Sequence, residues 1–471
     1  MSHKKTSRFS IYTKQIVNTL RRNPKFVGIL ILAGIGTAVL VATKAGTFSI
    51  ALQPELGSTS GCAEKITDNS ATEPSSNNAV RFGTGSGCVV VPPPPSDNNK
   101  FTFAVVPDTQ NEIGYTGNYY NFTNRWNWLI NNRQSLNLKY IFQVGDVNNW
   151  AGKICETATG DPNCSGITNY DQSSEGLKIL ENAGMPYLIT PGNHDTAAVR
   201  ADGNACQDTK PNPSNGIAYK PSCPGSSASV QVRNMSSWEK TFPKSRYPGI
   251  VTLCDEFNAN RDRLMTKGAP AGMSSSSIDH PQWMSNYCAS HNNTDNAYRT
   301  FTAGGLNWLA INYEFYPRQV VQEWMRIVIE NHPHHNIILV SHMFLSSNSK
   351  TLSTGSSGYT AVEGTPKRVF DYVISKYPNV KFTFSGHTSS NNGCAKLTGV
   401  NGNTIYSYLN DRQDGLGNVV RLLEITPDAG NGKGKVDSRM YSPKNEKNNY
   451  PPQLDMSDFK NCSTTDIQWT R

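Results

Sequence analysis

Short apolar segments that each stop at a polar residue recur along the middle of the chain. They are rich in Val, Ile, Leu and Phe, and they have the length of buried strands. Between them lie stretches whose apolar residues repeat at helical spacing. Strands that alternate with helices predict an α/β fold with parallel strand pairing. The five strand-like segments cover residues 101–106, 140–144, 185–190, 336–340 and 380–384.

Further elements follow from the same patterns. Residues 306–313 indicate another strand, and residues 404–409 and 419–425 indicate two strands that close the domain. Together these elements predict one domain that runs from residue 100 to residue 427. The helices are predicted at residues 125–132, 174–183, 317–331 and 366–377.

The residues that end the five strand-like segments share a chemical character. A single polar end is typical of an ordinary turn. Five ends with carboxylate, amide and imidazole groups indicate one shared site, because α/β sheets bind ligands at the carboxyl ends of their strands. Such groups suit borderline and hard divalent cations. In chain order they are Asp108, Gln110, Asp146, Asn193, His194, Asp195, His342 and His387.

The positive charge of the chain is concentrated at its start. The formal net charge is +8, and residues 1–25 carry seven Lys and Arg residues and no acid. The remainder is therefore close to neutral (8 − 7 = +1), which indicates no nucleic-acid-binding surface.

An uncharged apolar run follows this basic segment. Residues 26–43 are at the short end of what spans a bilayer. Basic residues before the run predict a single-pass anchor with a cytoplasmic N-terminus and an exported remainder, so that the protein sits in the cell membrane. A cleaved signal peptide is the alternative, which would make the protein secreted.

All ten cysteines lie after the apolar run. An even number of cysteines in an exported chain predicts disulfide bonds formed in an oxidising compartment. Sequence alone leaves their connectivity open. Pairing of nearest neighbours would give Cys62–Cys88, Cys155–Cys164, Cys206–Cys223, Cys254–Cys288 and Cys394–Cys462.

The regions around the predicted domain differ from it in composition. Residues 44–99 are rich in Ser, Asn and Pro and predict an exported linker, with a small binding module as the alternative. Residues 196–300 predict a disulfide-rich insertion that caps the site, with a surface excursion as the alternative. Residues 428–471 predict a polar tail that Cys462 ties back.

The order of the polar motifs resembles that of a known family. Asp-x-Gln, Gly-Asp, Gly-Asn-His-Asp, Ser-His and Gly-His occur here in the order found in the calcineurin-like metallophosphoesterases. The opening motif, with Asp108 and Gln110, is similar to that of a secreted bacterial branch. The resemblance implies a metallophosphoesterase-type β-sandwich flanked by helices.

The resemblance also implies two divalent metal ions, of which Mn, Mg, Fe and Zn are the candidates. One ion would take Asp108, Gln110 and Asp146 as ligands. The other would share Asp146 and take Asn193, His342 and His387.

The implied reaction is hydrolysis of a phosphomonoester or phosphodiester by a two-metal-activated hydroxide, on the outer side of the membrane. His194 would be the general acid, and Asp195 would orient it.

Two positions depart from the family pattern at the same metal. Gln110 replaces a usual His, and Ser389 stands where the family commonly has a second His. Oxygen ligands favour Mg²⁺ or Mn²⁺, and we expect this ion to bind more weakly than its partner. The departure at Ser389 favours an alternative function, a non-catalytic surface binding protein on a degenerate scaffold. The retained His194 favours the enzyme.

Overall fold

The computed structural model of the chain divides it into two units, residues 1–94 and residues 95–471. The structure describes residues 63–67, 78–82, 100–113, 119–151, 167–199, 227–354, 364–388, 392–412, 418–429, 432–445, 447–448 and 462–471. The predicted membrane anchor at residues 26–43 lies outside these ranges. Within them, no helix combines the length and the apolar character needed to cross a bilayer.

The first unit contains an antiparallel strand pair. β1 (Ala63–Thr67) pairs with β2 (Asn78–Phe82) along its whole length. The pair lies inside the segment predicted as a linker, so at least part of residues 44–99 has regular structure.

The second unit is a mixed α/β structure, as the sequence predicts. Its strands are β3 (Phe101–Val106), β4 (Leu138–Gln143), β5 (Tyr187–Ile189), β6 (Val251–Thr252), β7 (Ala297–Ala303), β8 (Leu306–Asn312), β9 (Asn336–Val340), β10 (Val380–Ser385), β11 (Asn392–Thr398), β12 (Thr404–Asn410), β13 (Val420–Thr426), β14 (Gly434–Ser442), β15 (Lys447–Asn448) and β16 (Thr464–Ile467).

Helices connect these strands, and their starts follow ordinary capping rules. Thr168 caps the second helix in a capping box with Asp171, and Pro366 begins the last helix after its cap Thr365. The helices are α1 (Tyr119–Asn131), α2 (Asn169–Asn182), α3 (Ala228–Gln231), α4 (Ser236–Thr241), α5 (Leu253–Phe257), α6 (Arg261–Lys267), α7 (Pro281–Cys288), α8 (Gln319–Glu330) and α9 (Pro366–Tyr372).

Two sheets contain the strands of this unit. The first sheet has the order β15-β14-β13-β3-β4-β5, with β16 also paired to β14. The second sheet has the order β11-β12-β10-β9-β8-β7-β6. The predicted parallel pairing is confirmed, because β3, β4 and β5 run parallel in the first sheet, and β8, β9, β10 and β12 in the second.

Aromatic side chains from both sheets form a shared core. The ring centroid of Phe103 lies 5.1 Å from that of Trp308, and Phe142 lies 5.2 Å from Phe384. All four rings are fully buried. Because β3 and β4 belong to the first sheet and β8 and β10 to the second, the sheets pack face to face.

Helix α8 covers the other face of the second sheet. Val320, Trp324 and Val328 repeat at a spacing of four residues and are buried. They pack in one cluster with strand residues such as Leu309 and Ile337. This is the apolar face that the sequence predicts for the helix.

The polar tail predicted from residue 428 onward is wrong, because that segment completes the first sheet. β14 pairs with β13 from Lys435 to Tyr441. Alternate side chains of this strand, such as those of Val436 and Met440, are buried. The Trp469 ring also packs against Trp308. A strand of an antiparallel sheet whose other face meets solvent has polar residues at alternate positions.

Two of the predicted disulfide bonds are confirmed. Cys254 bonds with Cys288, and Cys394 bonds with Cys462. The other three predicted pairs involve cysteines outside the described residues.

The described part of the 196–300 segment is built largely into the core. Trp238 and Phe242 pack in the cluster between the sheets, and β7 begins at Ala297 inside the segment. A smaller cluster joins Ala228 and Val232 to Phe315. The prediction that the whole segment is a cap is therefore wrong for most of residues 227–300, whereas the smaller cluster packs Ala228 and Val232 against Phe315.

Candidate metal centre

The carboxyl ends of strands from both sheets meet at one point. The ligand atoms of Asp146, His342 and His387 all lie within 4.8 Å of one another. Asp146 follows β4 of the first sheet, whereas the two histidines follow β9 and β10 of the second. Packing of the sheets thus brings together residues that are almost 250 positions apart in the chain.

Four polar side-chain atoms converge at the centre of this group. His342 Nε2 lies 3.1 Å from Asp146 Oδ2, 3.2 Å from Asn193 Oδ1 and 3.0 Å from His387 Nδ1. His342 Nδ1 lies 3.0 Å from the Val144 carbonyl oxygen. A neutral His342 that donates from Nδ1 has a lone pair on Nε2, which then faces oxygen and nitrogen acceptors.

When His387 carries its proton on Nε2, all four atoms present lone pairs to one another, and a positive charge at their centre, either a proton or a metal ion, would stabilise the group. A divalent cation fits the donor set, because carboxylate, amide and imidazole ligands suit borderline cations. The Nδ1 hydrogen bond to a backbone carbonyl is the usual outer contact of a metal-binding imidazole. These four side chains, from Asp146, Asn193, His342 and His387, are those predicted to hold one ion.

The residues predicted for the other ion lie beside this group. The Asp108 carboxylate accepts a hydrogen bond of 3.1 Å from the His387 backbone N–H. Gln110 is 5% exposed, and its Oε1 has no hydrogen-bond partner within the described residues. A buried amide oxygen of this kind is free to bind a cation. Ser389 lies outside the described residues, so the weaker affinity expected for this ion stays a prediction.

Three glycines give the ligands room. A Cβ atom at Gly192 would lie 2.0 Å from Asp146 Oδ1, and one at Gly386 would lie 1.9 Å from Asp108 Oδ1. A Cβ atom at Gly145 would lie 2.6 Å from His342 Nδ1. Each motif therefore contains glycine because a ligand occupies the space of its side chain.

Two ligand residues have left-handed backbone conformations. The φ angle is 50° at Asp146 and 72° at His387. Such conformations cost roughly 1–3 kcal/mol each and persist where the surroundings enforce them, often at functional sites.

Hydrogen bonds hold the turn that carries Asp146. Gln143 Nε2 donates to the Gly145 carbonyl (2.7 Å), and the Gly145 N–H donates to Gln143 Oε1 (2.9 Å). The Thr109 N–H donates to the Asp146 carbonyl (3.0 Å), which joins this turn to the one that carries Asp108.

The charges of the ligands stabilise one another in the absence of metal. Burial raises the pKa of Asp146, but His342, His194 and His387 outweigh it and hold the pKa at about 2. Burial lowers the pKa of His342, but the carboxylates of Asp146 and Asp108 outweigh it and raise the pKa to about 10. The proton on His342 thus takes the central position that a cation would occupy.

This pKa determines how metal affinity varies with pH. A cation held here would need the neutral imidazole of His342, so it would have to displace the proton at any pH below about 10. Its affinity therefore rises with pH over that range. In the metal-free protein the raised pKa stabilises the fold fully below about pH 6.5, the ordinary pKa of histidine, and that contribution is lost as the pH rises through about 10.

The predicted role of Asp195 as the partner of His194 is wrong. The Asp195 carboxylate accepts hydrogen bonds from the N–H groups of Gly192 (2.9 Å), Val147 (3.0 Å) and Asn148 (2.8 Å). The Asp195 side chain is buried. Burial together with the charge of Asp146 raises the pKa of its carboxyl group to about 7. The Asp195 carboxylate therefore links the turn that carries Asp146 to the turn that carries Asn193.

Asn149 takes the place predicted for Asp195. His194 Nδ1 lies 3.0 Å from both the carbonyl oxygen and Oδ1 of Asn149. The His194 backbone N–H also donates to Asp146 Oδ1 (2.9 Å), which places this residue next to the candidate metal ligands. His194 is half-buried, and its Nε2 is the nitrogen that remains for a substrate.

Phe315 is part of the site and was not predicted. Its ring centroid lies 5.6 Å from that of His342 and 5.1 Å from that of His387. Arg233 holds this segment, because it donates to the carbonyls of Phe315 (2.8 Å) and Tyr316 (2.7 Å). The signal that could have found Phe315 is its position just after a strand of the second sheet.

Comparison with known proteins identifies no family. No protein-family model matches the chain. YvnB of Bacillus subtilis strain 168, an uncharacterized protein, is 28% identical over 102 residues, which are 21% of this chain and 7% of YvnB. The matched part of the chain thus spans less than a tenth of that relative.

One solved structure aligns with much of the chain at low similarity. It is GAP50, the anchor in the inner membrane complex of Plasmodium, with 10% sequence identity and a TM-score of 0.33. The alignment covers 79% of this chain and 90% of GAP50. This TM-score assigns neither a fold nor a function.

Proposed function

We propose that the protein is a metal-dependent phosphoesterase of the calcineurin-like type. The observation that carries the proposal is the convergence of four metal-ligand atoms, Asp146 Oδ2, Asn193 Oδ1, His342 Nε2 and His387 Nδ1, at one buried point. A second ligand group, Asp108 and Gln110, adjoins it. The two face-to-face sheets with flanking helices agree with a metallophosphoesterase-type β-sandwich.

The proposed ligand sets are those that the sequence predicts. Asp146 belongs to both sets, because its two carboxylate oxygens can serve two ions. Divalent cations held there would polarise the phosphoryl group and lower the pKa of a water molecule. The protein supplies a buried, rigid cradle for them, in which glycines and two strained turns fix the ligand positions.

His194 is proposed as the general acid. Its Nδ1 faces Asn149, which fixes the ring, and its backbone N–H holds Asp146. As the imidazolium, His194 keeps the Nδ1 proton on Asn149 and can donate the Nε2 proton, or a hydrogen bond, to the oxygen of the departing group.

The proposed setting is the outer side of a membrane. Two disulfide bonds in the described residues agree with an oxidising compartment. The basic segment and the apolar run at residues 26–43 would provide the anchor.

The proposal is tested by hydrolysis of bis-p-nitrophenyl phosphate and p-nitrophenyl phosphate. The full chain, produced under oxidising conditions, is assayed after chelation and again after addition of Mn²⁺. We expect turnover only with metal, and we expect His194→Ala to lower kcat by about 10²–10⁴-fold. His334→Ala is the matched control, because His334 is exposed in the turn before β9.

A folded, metal-loaded chain without turnover would contradict the proposal that the protein is an enzyme. That outcome would favour the alternative of a binding protein on a degenerate scaffold. Equal turnover by the His194→Ala and His334→Ala variants would show that His194 is not the general acid.

A further inference from the structure

We infer that the organic part of the substrate is an uncharged, hydroxyl-rich group, such as a sugar or a polyol. This inference rests on the proposed function. It comes from a pocket that begins at the candidate metal centre, where His387 and Thr388 form part of its wall.

The pocket has a size that suits one small organic group. Its volume is about 410 Å³. Ligand pockets of roughly 300–1,000 Å³ hold small molecules. A peptide needs an extended groove or a free sheet edge for its backbone instead.

The part of the pocket wall that the structure describes is polar and contains no Lys, Arg, Asp or Glu. Seven of the ten lining residues have a hydroxyl or carboxamide side chain, and none is Lys, Arg, Asp or Glu. The polar residues include Ser347, Asn348, Thr351 and Thr354. Hydroxyl and carboxamide groups both donate and accept hydrogen bonds, as the hydroxyl groups of a polyol do.

The absence of charge argues against a polyphosphate group in this pocket. Additional phosphates call for Arg or Lys at the site of binding. Lys350 belongs to the same loop, but with Lys396 it lines an adjoining depression next to Gly393, and Asn348 lies between the two. The described wall of the pocket therefore favours a neutral group over a nucleoside triphosphate.

Local hydrogen bonds keep this wall in place. The Lys350 and Thr351 N–H groups donate to Asn348 Oδ1, at 2.8 Å and 3.1 Å. The Thr388 hydroxyl donates to the Leu345 carbonyl (3.2 Å), which joins the loop to the strand end that carries His387. A preformed wall loses little conformational freedom when a ligand binds.

The test compares esters that differ in their organic group. The kcat/KM values of glucose 1-phosphate and glycerol 3-phosphate are measured with the Mn²⁺-loaded full chain, beside phenyl phosphate and ATP. We expect the hydroxyl-rich esters to exceed phenyl phosphate by about tenfold, the value of one or two hydrogen bonds.

Variants of the wall connect this preference to the pocket. Ser347→Ala and Thr354→Val each remove one hydroxyl from an exposed position. We expect each to lower the ratio of glucose 1-phosphate to phenyl phosphate turnover by about threefold to tenfold. Thr398→Val is the control, because Thr398 is exposed on β11 and does not line the pocket.

The outcomes separate this inference from the proposed function. Metal-dependent turnover of p-nitrophenyl esters would support the proposed function. With such turnover, a preference for phenyl phosphate or ATP would overturn the inference about the organic group. An unchanged ratio of glucose 1-phosphate to phenyl phosphate turnover in the variants would overturn it as well. If no ester is hydrolysed, the affinity for glucose 1-phosphate is measured by calorimetry to test the pocket. Binding weakened by Thr354→Val would support the pocket, and absence of binding would overturn it.

Discussion

Asp146→Asn is expected to lower kcat/KM for bis-p-nitrophenyl phosphate by at least about 10³-fold, because metal ions supply several kcal/mol of transition-state stabilisation. Asp146 is the residue on which the two proposed ligand sets depend. The change removes its charge while it keeps the shape of the side chain.

The surroundings of Asp146 explain the size of this effect. Its Oδ2 lies 3.1 Å from His342 Nε2, and its Oδ1 accepts the His194 N–H. An amide offers one neutral oxygen where the carboxylate offers two charged ones, so bridging of two cations is lost. The His194 hydrogen bond can persist, since the amide oxygen still accepts it.

A matched variant separates chemistry from folding. Asp437→Asn removes a partly exposed carboxylate on β14 that pairs with Lys435. We expect it to leave turnover and metal affinity unchanged. Turnover by Asp146→Asn within tenfold of the unmodified protein would contradict its role as the shared ligand.

Gly192→Ala is expected to impair Mn²⁺ binding strongly and to lower the free energy of unfolding by about 1–3 kcal/mol, the usual effect of overpacking. The added Cβ atom would lie 2.0 Å from Asp146 Oδ1 and 2.4 Å from its backbone nitrogen. Both atoms belong to Asp146, whose backbone is already in the left-handed region. Relief of the clash would therefore displace the carboxylate.

Gly184→Ala is the matched control for an added methyl group. Gly184 has a φ angle of 57°, and nothing lies within 4 Å of a Cβ atom placed there. We expect a loss of about 1–2 kcal/mol from the backbone conformation alone, with unchanged Mn²⁺ affinity. Denaturant unfolding and metal titration measure both effects. Equal Mn²⁺ affinity in the two variants would show that the Gly192 contact is not needed for the metal ligands.

The strands and their ends could be predicted because both depend on local sequence. A buried strand has a continuous apolar run, and the polar residue after it marks the edge of the sheet. The same rule failed for β14, whose alternating pattern resembles a polar tail. It also failed for residues 227–300, where short helices supply single core residues such as Trp238 rather than a periodic apolar face.

The candidate ligands could be predicted from their types, but their partners could not. Asp195 follows His194 in the sequence, yet its carboxylate turns to three backbone N–H groups because they are held by the two neighbouring turns. Phe315 reaches the site, and Asn149 reaches His194, only through tertiary packing. Adjacency in the chain does not show which side chains make contact across two sheets.

The central claim is that His342 belongs to a divalent metal centre, and calorimetric titration of Mn²⁺ into the chelator-treated full chain tests it most directly. The titration is run at pH 7 in two buffers that differ in protonation enthalpy, with His342→Ala beside the unmodified protein. We expect two binding events of unequal affinity, release of about one proton when the site with His342 fills, and at least about 100-fold weaker binding at that site in the variant. Equal Mn²⁺ affinity in the two proteins, or no binding by the folded unmodified chain, would contradict a metal centre at His342.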